Sequence, residues 1–341
     1  MAESVGFVFH VLFLVLLMIV IICGNSLVII AFKTNKRLRT ATYTFLVSLA
    51  VSDFLVGSVS LPLWVYHLKY YPSSVEVGLT NFYACFDIFS ALASIFHLTG
   101  VTLERWIAIC KPFYYNTLSK RSYHISILIA WFLALAVAAP YPKIYIPKEN
   151  LFIAFKAYSV IIFLMGLVIP SVLITFVNLS IFKVVKSLVK TTRQQLDQSS
   201  DRVLDRNIFR DRKTAMTLVL ITTLFCVSWT PFFLINLVPI YCGHCFSPML
   251  GNVKFVSCVK WLHYSNSAYN PVVYAFRDAE MRMTFVRLFK RCGRVLKSRQ
   301  KPKSEWELSL NTDFILSPRS VSNYNRRADL SIPLKTKVSS V

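Results

Sequence analysis

The stretch Phe86–Cys110, FDIFSALASIFHLTGVTLERWIAIC, decides the fold. It is almost wholly apolar, yet it carries Asp87 near one end and Arg105 near the other. Eighteen residues separate the two charges. On a helix that separation is roughly 27 Å, close to the thickness of a bilayer's hydrocarbon core. If the segment spans a membrane, the two charges face opposite sides. A carboxylate within a span is costly and faces a bundle interior, a watery cavity or a partner. Asp87 is therefore a candidate for holding a cation.

Outward from this segment, the whole chain has the same character. Of its 341 residues 55% are hydrophobic and only 16% charged, with a mean hydropathy of +0.54. An ordinary soluble domain carries about 25% charged residues. Apolar spans fall at 5–32, 42–67, 80–110, 123–140, 153–186, 211–239 and 252–276, each long enough to cross. The expected fold class is an all-α membrane protein, a seven-transmembrane helix bundle.

The first span begins close to Met1 without a basic leader or a small-residue cleavage site, so it reads as retained. Of the 38 Lys and Arg residues, 32 fall on one side of the spans. Cytoplasmic loops hold the positive excess, which puts the amino terminus outside and the tail inside. The same rule, with attraction to anionic lipid, accounts for the net charge of +22 and removes the case for a nucleic-acid partner. No phosphate-cradling Gly loop, HExxH, paired-cysteine zinc framework or internal repeat is present.

In chain order, Asn25 puts an amide in an apolar helix, where it serves as a helix-to-helix hydrogen bond. Asp53 lies well inside the second span and needs a cation or polar neighbours. Pro62 permits a kink on the outer side. His97 and Ser94 share a helix face, but nothing completes a catalytic site around them, so His97 reads as a satisfied bundle residue and the chain as no enzyme.

Asn25, Leu49-Ala50-x-x-Asp53, Glu104-Arg105-Trp106, Trp131, Pro170, Trp229-x-Pro231 and Asn270-Pro271-x-x-Tyr274 follow one another, one set per span. Over about 1–290 the chain resembles the rhodopsin-like (class A) G-protein-coupled receptors. Within them it is similar to the biogenic-amine branch, which includes trace-amine, adrenergic, serotonin and histamine receptors. The resemblance implies that Asp87, with Ile88 beside it, salt-bridges a ligand ammonium. It implies an aromatic pocket from Trp229, Phe232, Phe233 and Asn236, closed by Trp261 and Tyr264. Charge and cation–π contact both favour an alkylammonium there. An ion pair between Asp87 and Lys260, or plain core packing of the aromatics, remains open as the structural alternative. A retinal pigment needs a lysine seven residues before Pro271, and that position is Tyr264.

The resemblance further implies an allosteric sodium pocket from Asp53, Ser94, Asn266, Ser267 and Asn270, with no other cofactor; a hydrated polar network is the alternative. It implies transmission through Ile95, Pro170 and Phe225, and a switch comprising Glu104, Arg105 and Asp211 with Asn270, Pro271 and Tyr274. Phe113 resembles the plug that inserts into a G protein, or else anchors at the interface. Cys242 and Cys245 match a small outer-loop disulfide, and Cys292 a palmitoylation site.

Departures from the pattern are specific. Thr80 stands where the family carries a third-span cysteine, and 141–156 contains no partner cysteine. Ile162, Phe163 and Gly166 replace catechol-binding serines. Asn178 replaces a tyrosine and Trp106 ends the arginine motif.

The domain reading is a receptor domain over 1–290, with an amphipathic eighth helix at about 278–290, and a disordered basic cytoplasmic tail over 291–341. The function implied is a plasma-membrane receptor that binds a small protonated amine and activates heterotrimeric G proteins, with receptor kinase and arrestin acting on the tail. The rivals are a divergent receptor of the same fold, for a non-amine ligand or signalling without one, and an ion-coupled transporter using Asp53 and Asp87. Inverted repeats and broken helices would mark the transporter, and the sequence shows neither clearly.

Overall fold

The computed structural model describes residues 2–70, 76–141, 144, 147–196, 202–242, 245 and 253–299, with side chains described outside 2–6, 188–219, 221–222, 253, 277 and 294–299. Among the described residues the structure is helical and contains no strand. The seven long helical segments are Ala2–Thr34, Ala41–Tyr70, Val77–Cys110, Lys120–Ala138, Leu151–Leu196, Arg202–Tyr241 and Val253–Arg277. These are called the first to seventh spans below. Most run past the apolar windows because a helix that leaves the hydrocarbon core continues its backbone bonding into the polar layers. A short helix, Pro112–Thr117, links the third and fourth spans.

Among the described residues, six of the helices are long and apolar enough to cross a membrane. The seventh is not, because its length carries Lys260, His263, Asn266, Ser267 and Asn270. The last four are buried. Polarity there is turned inward, as it must be when lipid surrounds the bundle. Elsewhere the outer faces expose apolar side chains, such as Phe9, Leu16, Phe132 and Phe176.

The first span packs on the second and seventh, the sixth on the fifth and seventh, and the third on the second, fourth and fifth. The third span is thus the central post. Its buried face runs from Asp87 through Ser94 and His97 to Glu104. Asn25 donates to the carbonyls of Ile21 at 2.9 Å and Ser267 at 3.1 Å, joining first and seventh spans. His97 Nδ1 donates to Ala93 O at 2.6 Å, and Ser48 Oγ lies 2.8 Å from His97 Nε2 while accepting from Trp131 Nε1 at 2.9 Å.

Two wide turns interrupt the spans, Val56–Ser60 ahead of Pro62 and Leu164–Val168 ahead of Pro170. A proline ring clashes with the carbonyl one turn back, and a π-type turn relieves it. The bend foreseen at Pro62 takes this form; the turn before Pro170 has no counterpart in the sequence reading.

At the inner end, Asp278 caps the helix Ala279–Arg299 by accepting from the Met281 N–H at 2.9 Å. Its other oxygen accepts from Tyr43 at 2.7 Å. That helix continues to Arg299, beyond the expected end near 290 and into the segment read as disordered. The fifth and sixth spans likewise extend to Leu196 and from Arg202, past the expected span ends at 186 and 211. The chain divides into a unit through Phe289 and a second from Lys290 to Val341. Most of the foreseen tail lies outside the described residues.

Candidate functional site

A cavity of about 280 Å³ opens between the third, fifth, sixth and seventh spans. Asp87, Ile88, Phe232, Phe233, Asn236 and Lys260 are among its walls. Asp87 is buried, and a cation is already beside it: Lys260 Nζ donates to Asp87 Oδ2 at 2.8 Å and to the Tyr83 hydroxyl at 3.1 Å. Tyr264 donates to Asp87 Oδ1 at 3.1 Å, and the Tyr83 and Tyr264 hydroxyls are 3.0 Å apart. Four aromatic rings face the ammonium, Phe232 at 4.7 Å, Trp64 at 5.2 Å, Tyr264 at 5.3 Å and Tyr83 at 5.6 Å. A carboxylate ringed by aromatic faces is a seat for an alkylammonium, and the chain's own lysine sits in it.

Below the cavity, Trp229, Phe225, Ile95 and Phe233 form one buried cluster. His263 stacks on Phe232 at 4.3 Å and lies 4.4 Å from Trp229. Deeper still, Asp53 is fully buried and accepts from Ser94, Ser267 and the Asn270 amide, each at 2.8 Å. Asn266 is buried nearby in sequence on the seventh span. One carboxylate and two hydroxyls are hard oxygen donors, the chemistry a small hard cation takes.

Toward the end of the third span Glu104 is buried and crowded. Thr42 donates to both its oxygens at 2.9 Å, Tyr115 to Oε1 at 2.7 Å, and Arg105 Nε lies 3.5 Å from Oε2. Burial and then the bond to Glu104 raise the Tyr115 phenol above its ordinary range, so it stays a donor. Arg105 keeps about a third of its side chain exposed. Tyr274 and Pro271 are buried, and the Tyr274 hydroxyl has no hydrogen-bond partner among the described residues.

A family model described as 7 transmembrane receptor (rhodopsin family) matches residues 24–274. The chain belongs to that family. Octopamine receptor beta-1R of Drosophila melanogaster is 29% identical over 311 residues, covering 79% of this chain and 59% of that protein. Octopamine receptor beta-2R of the same species is 27% identical over 340 residues, covering 83% and 61%. The receptor therefore spans about 60% of the length of these curated relatives. As a member of a receptor family it is not an enzyme.

Several foreseen residues stand together in the receptor and some do not. Asp87, Phe232 and Tyr264 surround one cation. Trp261 turns away from it, packing on Phe13 at 4.5 Å and His10 at 5.0 Å of the first span. Neighbouring helix positions differ by about 100°, so a seventh span that aims Lys260 inward aims Trp261 aside. Trp64 of the second span takes the aromatic place instead.

Phe113 is 90% exposed in the short helix after the third span, and Cys292 is exposed. Cys242 and Cys245 are bonded, whereas Cys85 is free. Tyr158 of the fifth span donates to Val137 O of the fourth at 3.1 Å. Pro170 is buried beside its wide turn. The Asp211 side chain lies outside the described residues.

The sequence reading missed Tyr83, Trp64, Thr42 and Tyr115. Tyr83 precedes Asp87 by four residues, as Lys260 precedes Tyr264. On a helix that spacing puts each pair on one face. Nothing comparable pointed to Trp64 or Thr42, which arrive from a different span.

Proposed function

We propose that this chain is a plasma-membrane receptor, amino terminus outside and tail inside, that binds a small protonated amine at Asp87 and activates a heterotrimeric G protein. The observation that carries the reading is the cage itself: a buried carboxylate with two tyrosine hydroxyls and four aromatic faces, holding an alkylammonium at 2.8 Å. The ligand ammonium exchanges with that of Lys260. The named relatives are octopamine receptors, which are amine receptors by name.

Signal passes from the cavity through Trp229 and the Ile95–Phe225 cluster, with Pro170 supporting the wide turn of the fifth span. At the inner end Glu104 restrains Arg105, and opening the sixth span would offer Arg105, Phe113 and a groove to a G-protein helix. Asp211 would add a second clamp on Arg105, and Tyr274 would supply an active-state contact. The oxygens of Asp53, Ser94 and Ser267, with Asn266 and Asn270 alongside, would hold an allosteric sodium ion. The receptor domain covers 1–290 with the helix after Asp278 on the lipid surface, Cys292 carrying a lipid, and 291–341 serving kinase and arrestin.

A second reading is favoured by one observation, the occupied seat: a receptor whose own Lys260 satisfies Asp87 signals without an external amine. One experiment separates the two. Cells expressing the wild type and Asp87→Asn are screened for cAMP and calcium responses to a panel of primary and secondary amines. An amine response lost in Asp87→Asn at equal surface expression supports the amine site. High basal signalling with no amine response supports the second reading.

A further inference from the structure

We infer that the outer cavity takes a zwitterion, an aromatic or large aliphatic α-amino acid, whose ammonium pairs with Asp87 and whose carboxylate pairs with Lys260. The inference rests on the amine-site reading and narrows its ligand class.

Charge balance decides among the candidates. The side chains of Asp87 and Lys260 are only 8% and 12% exposed, so both depend on each other for neutralisation. A simple monoamine on Asp87 displaces Lys260 and leaves an ammonium among aromatic rings with no anion, a net charge of one in a poorly hydrated site. An anion on Lys260 strips Asp87 of its cation in the same way. Breaking a buried pair from one side is strongly unfavourable because the partner stays buried and uncompensated. A zwitterion replaces each charge with another of the same sign, and the site stays neutral.

Geometry agrees with the charge argument. Lys260 belongs to the cavity wall and ends a flexible four-carbon stem, so its head can move by the width of a carboxylate without moving the seventh span. The Tyr83 hydroxyl, 3.1 Å from Lys260 Nζ and 3.4 Å from Asp87 Oδ2, stands beside both charges as a donor or acceptor for either end of the ligand. The rest of the lining is mostly apolar and aromatic, Ile88, Ile162, Phe163, Phe232 and Phe233 among it, with Ser159 and Asn236 as polar members. That lining takes a largely apolar side chain, and Ile162 and Phe163 stand where a catechol would need serines.

Three probes share one ring and differ in charge: L-phenylalanine, phenethylamine and N-acetyl-L-phenylalanine. Their binding to the full-length receptor in lipid nanodiscs is measured for the wild type, Lys260→Met, Lys260→Arg and Asp87→Asn. The wild type is expected to bind L-phenylalanine at least about tenfold more tightly than either of the others, the difference of one uncompensated charge. Lys260→Met is expected to reverse the order in favour of phenethylamine. Lys260→Arg keeps the cation and the wild-type order, and Asp87→Asn weakens both amines.

Phenethylamine binding as tightly as L-phenylalanine to the wild type, or an order indifferent to Lys260→Met, would overturn the inference. Asp87-dependent phenethylamine binding without L-phenylalanine binding overturns it while leaving the amine reading intact. If no probe binds the wild type or either Lys260 variant, both fall together.

Discussion

Lys260 Nζ lies 2.8 Å from Asp87 Oδ2, and this contact ties the seventh span to the third. Each partner is the other's compensation, so removing one leaves a buried charge. Asp87→Asn is expected to cost about 3 kcal/mol of stability. The double variant Asp87→Asn/Lys260→Met, which removes both charges, should recover most of that loss. Thermal unfolding in detergent by an intrinsic-fluorescence readout checks it; a double variant no more stable than Asp87→Asn would show that the pair is not coupled.

At the other end of the third span, Tyr115 donates to Glu104 at 2.7 Å and helps to hold the carboxylate beside Arg105. Tyr115→Phe deletes that bond, together with the weaker contact of the same hydroxyl to Tyr123, and keeps the ring. A bond worth about 1 kcal/mol shifts a two-state equilibrium roughly fivefold. Ligand-independent nucleotide exchange on a G protein should rise by about that factor, whereas Tyr114→Phe, an exposed neighbour, should leave it unchanged. Equal basal exchange in wild type and Tyr115→Phe would detach Tyr115 from the switch.

Gly166 makes room for an aromatic ring. A Cβ there would stand 2.5 Å from Phe233 Cζ and 2.9 Å from Cε1, and Phe233 packs in turn on Trp229 with ring centroids 5.8 Å apart. Gly166→Ala therefore overpacks the cluster and is expected to lower stability by about 1–3 kcal/mol. Phe233→Leu added to it should relieve the clash. Melting temperatures of the four proteins in the cycle decide the matter, and simple additivity would reject the contact.

Asp53 collects three donors in a fully buried place. Asp53→Asn leaves at least one of them without its charged acceptor, at a cost of about 1–3 kcal/mol. If sodium binds there, replacing potassium with sodium at constant ionic strength raises the wild-type melting temperature and leaves that of Asp53→Asn unmoved. A sodium effect of equal size in both proteins would place the ion elsewhere.

Much of the fold was legible because lipid leaves few choices. Apolar runs must be helices, and an acid inside one must find company, so the spans and the interior placement of Asp53 and Asp87 followed from composition and spacing. The seventh span illustrates the limit: it is too polar for a length-and-hydropathy criterion, yet its residues His263, Asn266, Ser267 and Asn270 all face inward. The apolar run at 252–276 marked its place in the chain, and its polar residues had to turn inward.

The site was only half legible. Asp87 was readable from its depth in an apolar span, because distance along a helix converts directly into depth, whereas Tyr264 and Phe232 were readable only through the resemblance of the motifs around Pro271 and Trp229 to the amine-receptor pattern. Whether Asp87 meets Lys260, whether Trp261 or Trp64 completes the cage, and whether Thr42 and Tyr115 reach Glu104 depend on how whole helices rotate and lean against one another. Depth in the membrane is a property of one segment and is written in the chain. The partner across the bundle is set by packing among several segments, and a linear order of residues carries no record of that rotation.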